Sequence, residues 1–120
     1  MTANGFHYDG RTFASAGAPE TTGADGSVPR GHYHQTGDLV WGEISGGAVR
    51  VGSLAGTCGP DGTIRFAYCQ VLVDGTVVAG DCVSHPERLA DGRIRLREQW
   101  QRYGPQGDQG VSIVDEIPAG

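Results

Sequence analysis

Hydrophobic and polar residues alternate in short runs along most of the chain. The clearest run is "RIRLREQW". In it Arg93, Arg95 and Arg97 alternate with Ile94, Leu96, Glu98 and Trp100. A period of two is the mark of a strand with one dry face and one wet face. Asp9-Gly10, Thr36-Gly37, Ser45-Gly46-Gly47, Gly59-Pro60-Asp61-Gly62, Asp74-Gly75, Asp91-Gly92 and Gly104-Pro105-Gln106-Gly107 punctuate the runs at short, even intervals. Strands separated by such signals make an all-β meander. The pattern predicts strands near 6–8, 11–15, 28–35, 38–44, 48–57, 63–73, 76–84, 93–103 and 109–117. One short turn is expected within Ser84–Leu89, where Pro86 interrupts the pattern. Residues 16–27, "AGAPETTGADGS", are small and polar and predict a flexible loop.

Consecutive hairpins tend to close on themselves, because closure removes exposed edges. The expected fold is therefore all-β. It is one small antiparallel up-and-down barrel of about eight strands, calycin- or lipocalin-like, filling residues 1–120. An open roll or sandwich is the alternative.

Register follows if each turn is a two-residue loop. Tyr68 then faces Asp81, Tyr33 faces Val40, Glu43 faces Arg50, Trp41 faces Gly52, Ser53 faces Tyr68 and Cys82 faces Ala67. One side collects Tyr33, Gln35, Val40, Ile44, Val49, Val51, Phe66, Tyr68, Gln70, Leu72, Val77, Asp81 and Val83. Ile94, Leu96, Glu98 and Trp100 join it. Unpaired arginines are costly to bury, so Arg93, Arg95 and Arg97 put this side inward. Arg102 is read with the same exposed basic stripe. His32 and His34 point outward, beside an Arg30–Glu43–Arg50 charge cluster and a Trp41 that covers Gly52. A His-x-His metal site there would lack an obvious third ligand.

Composition fits a folded domain: hydrophobic residues make up 38% of the chain, and the 21 glycines fall between the runs. The net charge of −5 gives no footprint for nucleic acid. Three cysteines, Cys58, Cys69 and Cys82, form no CxxC pair, so neither a disulfide framework nor a zinc site is signalled. The thiols are expected to be reduced, Cys82 lying diagonal to Cys69. With no long apolar run and no charged-then-apolar leader, a cytoplasmic protein that does not span a membrane is expected.

Polar groups interrupt the inner face, which suggests a wet-lined cavity rather than a solid core. Glu98 is flanked by Leu96 and Trp100. A desolvated carboxyl there would have a raised pKa, suited to acid–base work near neutrality. Glu98, with Tyr33 and Tyr68, is the candidate catalytic set. Gln35, Phe66, Gln70, Asp81, Leu96 and Trp100 are candidate ligand-binding residues. The bland readings are a core Glu held by hydrogen bonds and a Tyr68–Asp81 cross-strand pair. His85, Pro86 and Glu87 would form a rim loop. Cys58 is a weak nucleophile candidate without a defined His. No GxSxG, P-loop or Rossmann glycine pattern occurs, and no cofactor or metal is expected.

"HYHQTGDLVWGEISGGAVRVGSLAG", "DGTIRFAYCQ" and "GDCVSHPERLADGRIRLREQW" together resemble a family of short bacterial proteins commonly labelled N-acetylglutamate synthase. The similarity covers roughly residues 30–117. It is most specific at Tyr33-x-Gln35, Ser45-Gly46-Gly47, Cys82–Glu87 and Asp91-Gly92-Arg93…Glu98-x-Trp100. Arg102 departs from that pattern, where a second aromatic is typical, and Ala67 and Cys69 replace longer polar residues. Acetyl-CoA-dependent synthases of that name use an α/β acyltransferase domain with a pyrophosphate-binding loop before a helix. The present pattern contains neither, so the resemblance implies the barrel and not the activity.

Three functions compete. The first is a barrel that binds a small apolar or amphipathic molecule. The second is a cofactor-free cyclase or isomerase using Glu98. The third is an interaction module using the outer His/Trp/Arg face. A homodimer is left open.

Overall fold

A computed structural model describes residues 5–15, 21–104 and 107–118. Eight antiparallel strands close into one barrel in sequence order, with β8 returning to pair with β1. They are β1 Thr12–Ser15, β2 Arg30–Thr36, β3 Leu39–Gly46, β4 Val49–Cys58, β5 Ile64–Leu72, β6 Val77–Arg88, β7 Ile94–Arg102 and β8 Gln109–Ile117. The all-β calycin-like barrel is thus the fold, and the described residues contain no α-helix. Residues 16–20 of the expected flexible loop lie outside the described residues. Beyond them, Thr21 packs on the β3–β4 turn and its carbonyl accepts from Ala48 N–H at 2.8 Å.

The expected strand at 6–8 does not form. Phe6 to Gly10 instead cross one end of the barrel and seal it. Tyr8 is wholly buried, its hydroxyl donating to Gly62 O at 2.6 Å and its N–H to Gln35 Oε1 at 2.9 Å. The Arg88 guanidinium lies over Phe6, 5.1 Å from the ring centroid. Ile64, Ile94 and Leu96, none of them exposed, fill the space beneath this cap.

Three hairpins correct the expected register by one residue, and all for the same reason. Their Asp-Gly pairs belong to three-residue loops, not two-residue ones. Gly59 N–H, Leu72 N–H and Leu89 N–H each bond across the loop to Thr63, Thr76 and Arg93 O at 2.8 Å. Gly62, Gly75 and Gly92 take φ of 86°, 88° and 91°, which places a left-handed residue where the loop rejoins its strand. Asp61, Asp74 and Asp91 then accept from the N–H two residues on, at 3.0, 2.9 and 3.1 Å.

A one-residue slip exchanges the faces of a strand. Tyr68 therefore pairs with Gly80 and Phe66 with Cys82. Asp81, Val77 and Val83 point outward, while Gly80, Cys82 and Ser84 point inward. On β4 the same slip turns Ser53 outward and Leu54 inward, opposite Tyr68. A bulge between Val49 and Val51 leaves Val51 61% exposed. The β2–β3 hairpin shifts by two residues instead. Tyr33 pairs with Gly42 and the faces survive.

Pro86 does not break β6, which runs on to Arg88; His85, Pro86 and Glu87 are strand residues at the capped end, not a rim loop. The ladder with β5 ends at Ile64–Ser84. The odd residues of β6 bond toward β7, so the N–H that Pro86 lacks would have pointed past the end of β5. Outside the barrel, Trp41 pairs with Ala55 rather than covering Gly52, and stacks on His34 at 5.4 Å. Glu43 pairs with Ser53 and accepts from His34 at 2.8 Å, not from Arg50. Cys69 is exposed and Cys82 buried, on opposite sides of the wall, and both are free thiols.

Candidate functional site

The end away from the cap holds a cavity of about 130 Å³. One wall comes from β7, whose inward residues run Leu96, Glu98, Trp100, Arg102 from the cap toward the mouth. Leu96 lies beneath the cavity. The next three line it. Phe13 and Tyr33, with rings 5.0 Å apart, face them together with Leu54, Phe66, Tyr68 and Gln70. Gly80 makes room for Tyr68. A Cβ there would strike Gln101 O and sit 2.7 Å from the tyrosine hydroxyl.

Of the two charged residues that β7 sends into the cavity, Glu98 lies nearer the cap. It pairs with Ser84 on one side and Ser112 on the other. Ser84 is fully buried, and its Oγ donates to Glu98 Oε2 at 3.1 Å. Burial pushes the carboxyl up from 4.5 to about 7, against the smaller opposing effect of the serine hydrogen bond. What surface Glu98 retains opens to the cavity it lines. Trp100 Nε1 donates to Ser112 Oγ at 2.9 Å, which fixes the indole in the wall.

The neighbours of Glu98 are held neutral. Burial first, then the Glu98 charge, raises the pKa of both Tyr33 and Cys82. Tyr68 is raised by burial and partly relieved by a hydrogen bond from Arg102. Arg102 lies over the Trp100 ring at 5.6 Å and lines the cavity. It belongs to the inner face, not to the exposed stripe of Arg93, Arg95 and Arg97.

Of the residues the sequence singled out, Glu98, Tyr33, Tyr68, Phe66, Gln70 and Trp100 line one space. Three do not. Asp81 points outward from β6. Leu96 is sealed in the core. Gln35 spends its amide on the cap, accepting from Tyr8 N–H and donating to Gly37 O at 2.9 Å. Arg102, Cys82, Ser112 and Leu54 were missed as lining residues, and so was Ser84, the partner of Glu98. Arg102 was legible, being two steps from Trp100 in the same alternation. Leu54, Cys82 and Ser84 followed only from the three-residue loops, and Ser112 only from the pairing of β8 with β7. His32 and His34 stay on the outer face, His32 Nδ1 lying 2.9 Å from Thr12 Oγ1. Among the described residues no cluster of three or more His, Cys, Asp or Glu could hold a metal ion.

The cavity can take up a small, mostly apolar body and offer it a few hydrogen bonds and the titratable carboxyl of Glu98. No curated protein and no solved structure matches the chain. A family model described as Avidin-like protein matches residues 6–117, nearly the whole barrel from cap to last strand, and the chain belongs to that family.

Proposed function

We propose that the protein is a binding barrel for a small molecule about the size of one ring. The observation that carries this is the cavity of about 130 Å³ between the cap and the mouth. Engineered cavities of roughly 150 Å³ accommodate benzene. A solid core would have favoured the interaction module. Membership of the Avidin-like family supports the binding reading without naming a ligand, and biotin enters the test panel because of that name. Thermal melts against single-ring acids, amides, alcohols and biotin test it. A ligand that raises the melt of wild type and not of a folded Leu54→Phe variant supports the reading. No shift from any of them contradicts it.

One observation favours a second reading, a cofactor-free isomerase or cyclase. Glu98, poised near 7 in the cavity beside Tyr33 and Tyr68, could move a proton on a bound substrate. Glu98→Gln separates the two. Ligand bound by wild type and Glu98→Gln, but chemically changed only by wild type, makes the protein an enzyme. Ligand recovered unchanged from both leaves it a binder.

A further inference from the structure

The chain as a whole is acidic, with 14 Asp and Glu against nine Arg and Lys and a net charge of −5. Its cavity, as the described residues line it, has the opposite sign when Glu98 is protonated. Among the described lining residues the inward-pointing cation is Arg102 and the only carboxyl is Glu98, while Arg30 is exposed and shares the outward parity of His32 and His34. Tyr33, Tyr68 and Cys82 stay neutral there because burial raises all three. The described lining is therefore positive while Glu98 carries its proton. A positive cavity inside a negative protein is a selective environment for an anion.

We propose that the ligand is a small organic carboxylate, its charge met at the mouth by Arg102 and Tyr68 and its apolar body lying against Phe66 and Leu54. This rests on the binding reading above. Arg102 is well placed. Stacking on Trp100 and the hydrogen bond with Tyr68 hold its guanidinium in the wall, and the planar fork suits a carboxylate. A phenol that accepts from Arg102 still has its own O–H to donate. The cavity's size limits the body to one ring or a short chain.

Glu98 makes the preference depend on pH. The groups facing it are Tyr33 from β2, Tyr68 from β5, Cys82 and Ser84 from β6, Ser112 from β8, and Arg102 four residues along its own strand. None of these besides Glu98 becomes negative near neutrality. Ionising Glu98 places a second negative charge beside the ligand, so anion binding weakens as pH rises through about 7.

Calorimetry with benzoate and benzamide, a pair matched in shape, tests the proposal on the full chain. At pH 6 benzoate should bind about tenfold more tightly or better, the scale of a hydrogen bond to a charged group. Arg102→Gln should erase that preference. Tyr68→Phe should weaken benzoate more than benzamide, which keeps the test open if Arg102→Gln fails to fold. The wild-type preference should shrink between pH 6 and 8 and stay flat in Glu98→Gln. Equal binding of the pair, or a preference that survives Arg102→Gln, overturns the anion proposal and leaves the binding barrel standing. Binding of neither overturns both.

Discussion

Ser84 Oγ donates to Glu98 Oε2 at 3.1 Å across the β6–β7 ladder, a bond between a side chain with no exposed surface and the one carboxyl among the described residues of the cavity lining. Because hydrogen bonding favours the charged carboxyl, removing the serine hydroxyl raises Glu98 further. Ser84→Ala should move the Glu98 titration to higher pH, followed by NMR of the side-chain carboxyl, and cost about 1 kcal/mol of stability. A titration moved downward would contradict this geometry.

The raised Glu98 pKa is also a statement about stability. The folded chain keeps the proton where the unfolded chain has lost it. The contribution is fully present below about 4.5 and is lost as pH rises through about 7. A gap of that size corresponds to about 3 kcal/mol. Urea unfolding of wild type should therefore lose about 2–3 kcal/mol more than Glu98→Gln between pH 5 and 8. Parallel pH profiles would mean that Glu98 is not buried.

Gly80 is where β6 lets Tyr68 into the barrel. In Gly80→Ala the new methyl meets Gln101 O and the Tyr68 ring. The variant should lose about 1–3 kcal/mol in denaturant melts, and its ligand binding should weaken through displacement of Tyr68. An unchanged melt would show that β6 has room to move.

Cys69 and Cys82 differ in access, not in oxidation. Iodoacetamide under native conditions should alkylate Cys69 and spare Cys82, which burial and the Glu98 charge keep protonated. Peptide mass spectrometry reads the two sites separately. Equal labelling would place Cys82 outside the wall.

Alternation alone identified the barrel, its β7 wall and Glu98, because a period of two survives errors of boundary. It gave Tyr33, Phe66, Tyr68, Gln70 and Trp100 as well. It failed where faces had to be carried around a turn. Asp74-Gly75 can close a two-residue or a three-residue loop, and the choice decides whether Asp81 or Cys82 looks inward. The absence of a positive φ at Asp74 and the Leu72 N–H bond to Thr76 O settle that, and composition does not print them. The cap was hidden for another reason. Tyr8 and Gln35 meet across 27 residues of chain, and no local period announces a bond of that range. Arg102 was misread because its charge was counted before its parity.

The central claim is that the cavity takes a ligand, and Trp100 in its wall is the natural reporter. Trp41 lies on the outer face, so Trp41→Phe leaves Trp100 as the sole indole of a chain that has two. Titrating that variant with the panel of single-ring acids and amides and biotin should give a saturable emission change for at least one member, at one site per chain. The change should vanish in a folded Leu54→Phe version. Emission that no panel member alters in a folded protein, or a saturable change indifferent to Leu54→Phe, would contradict the claim.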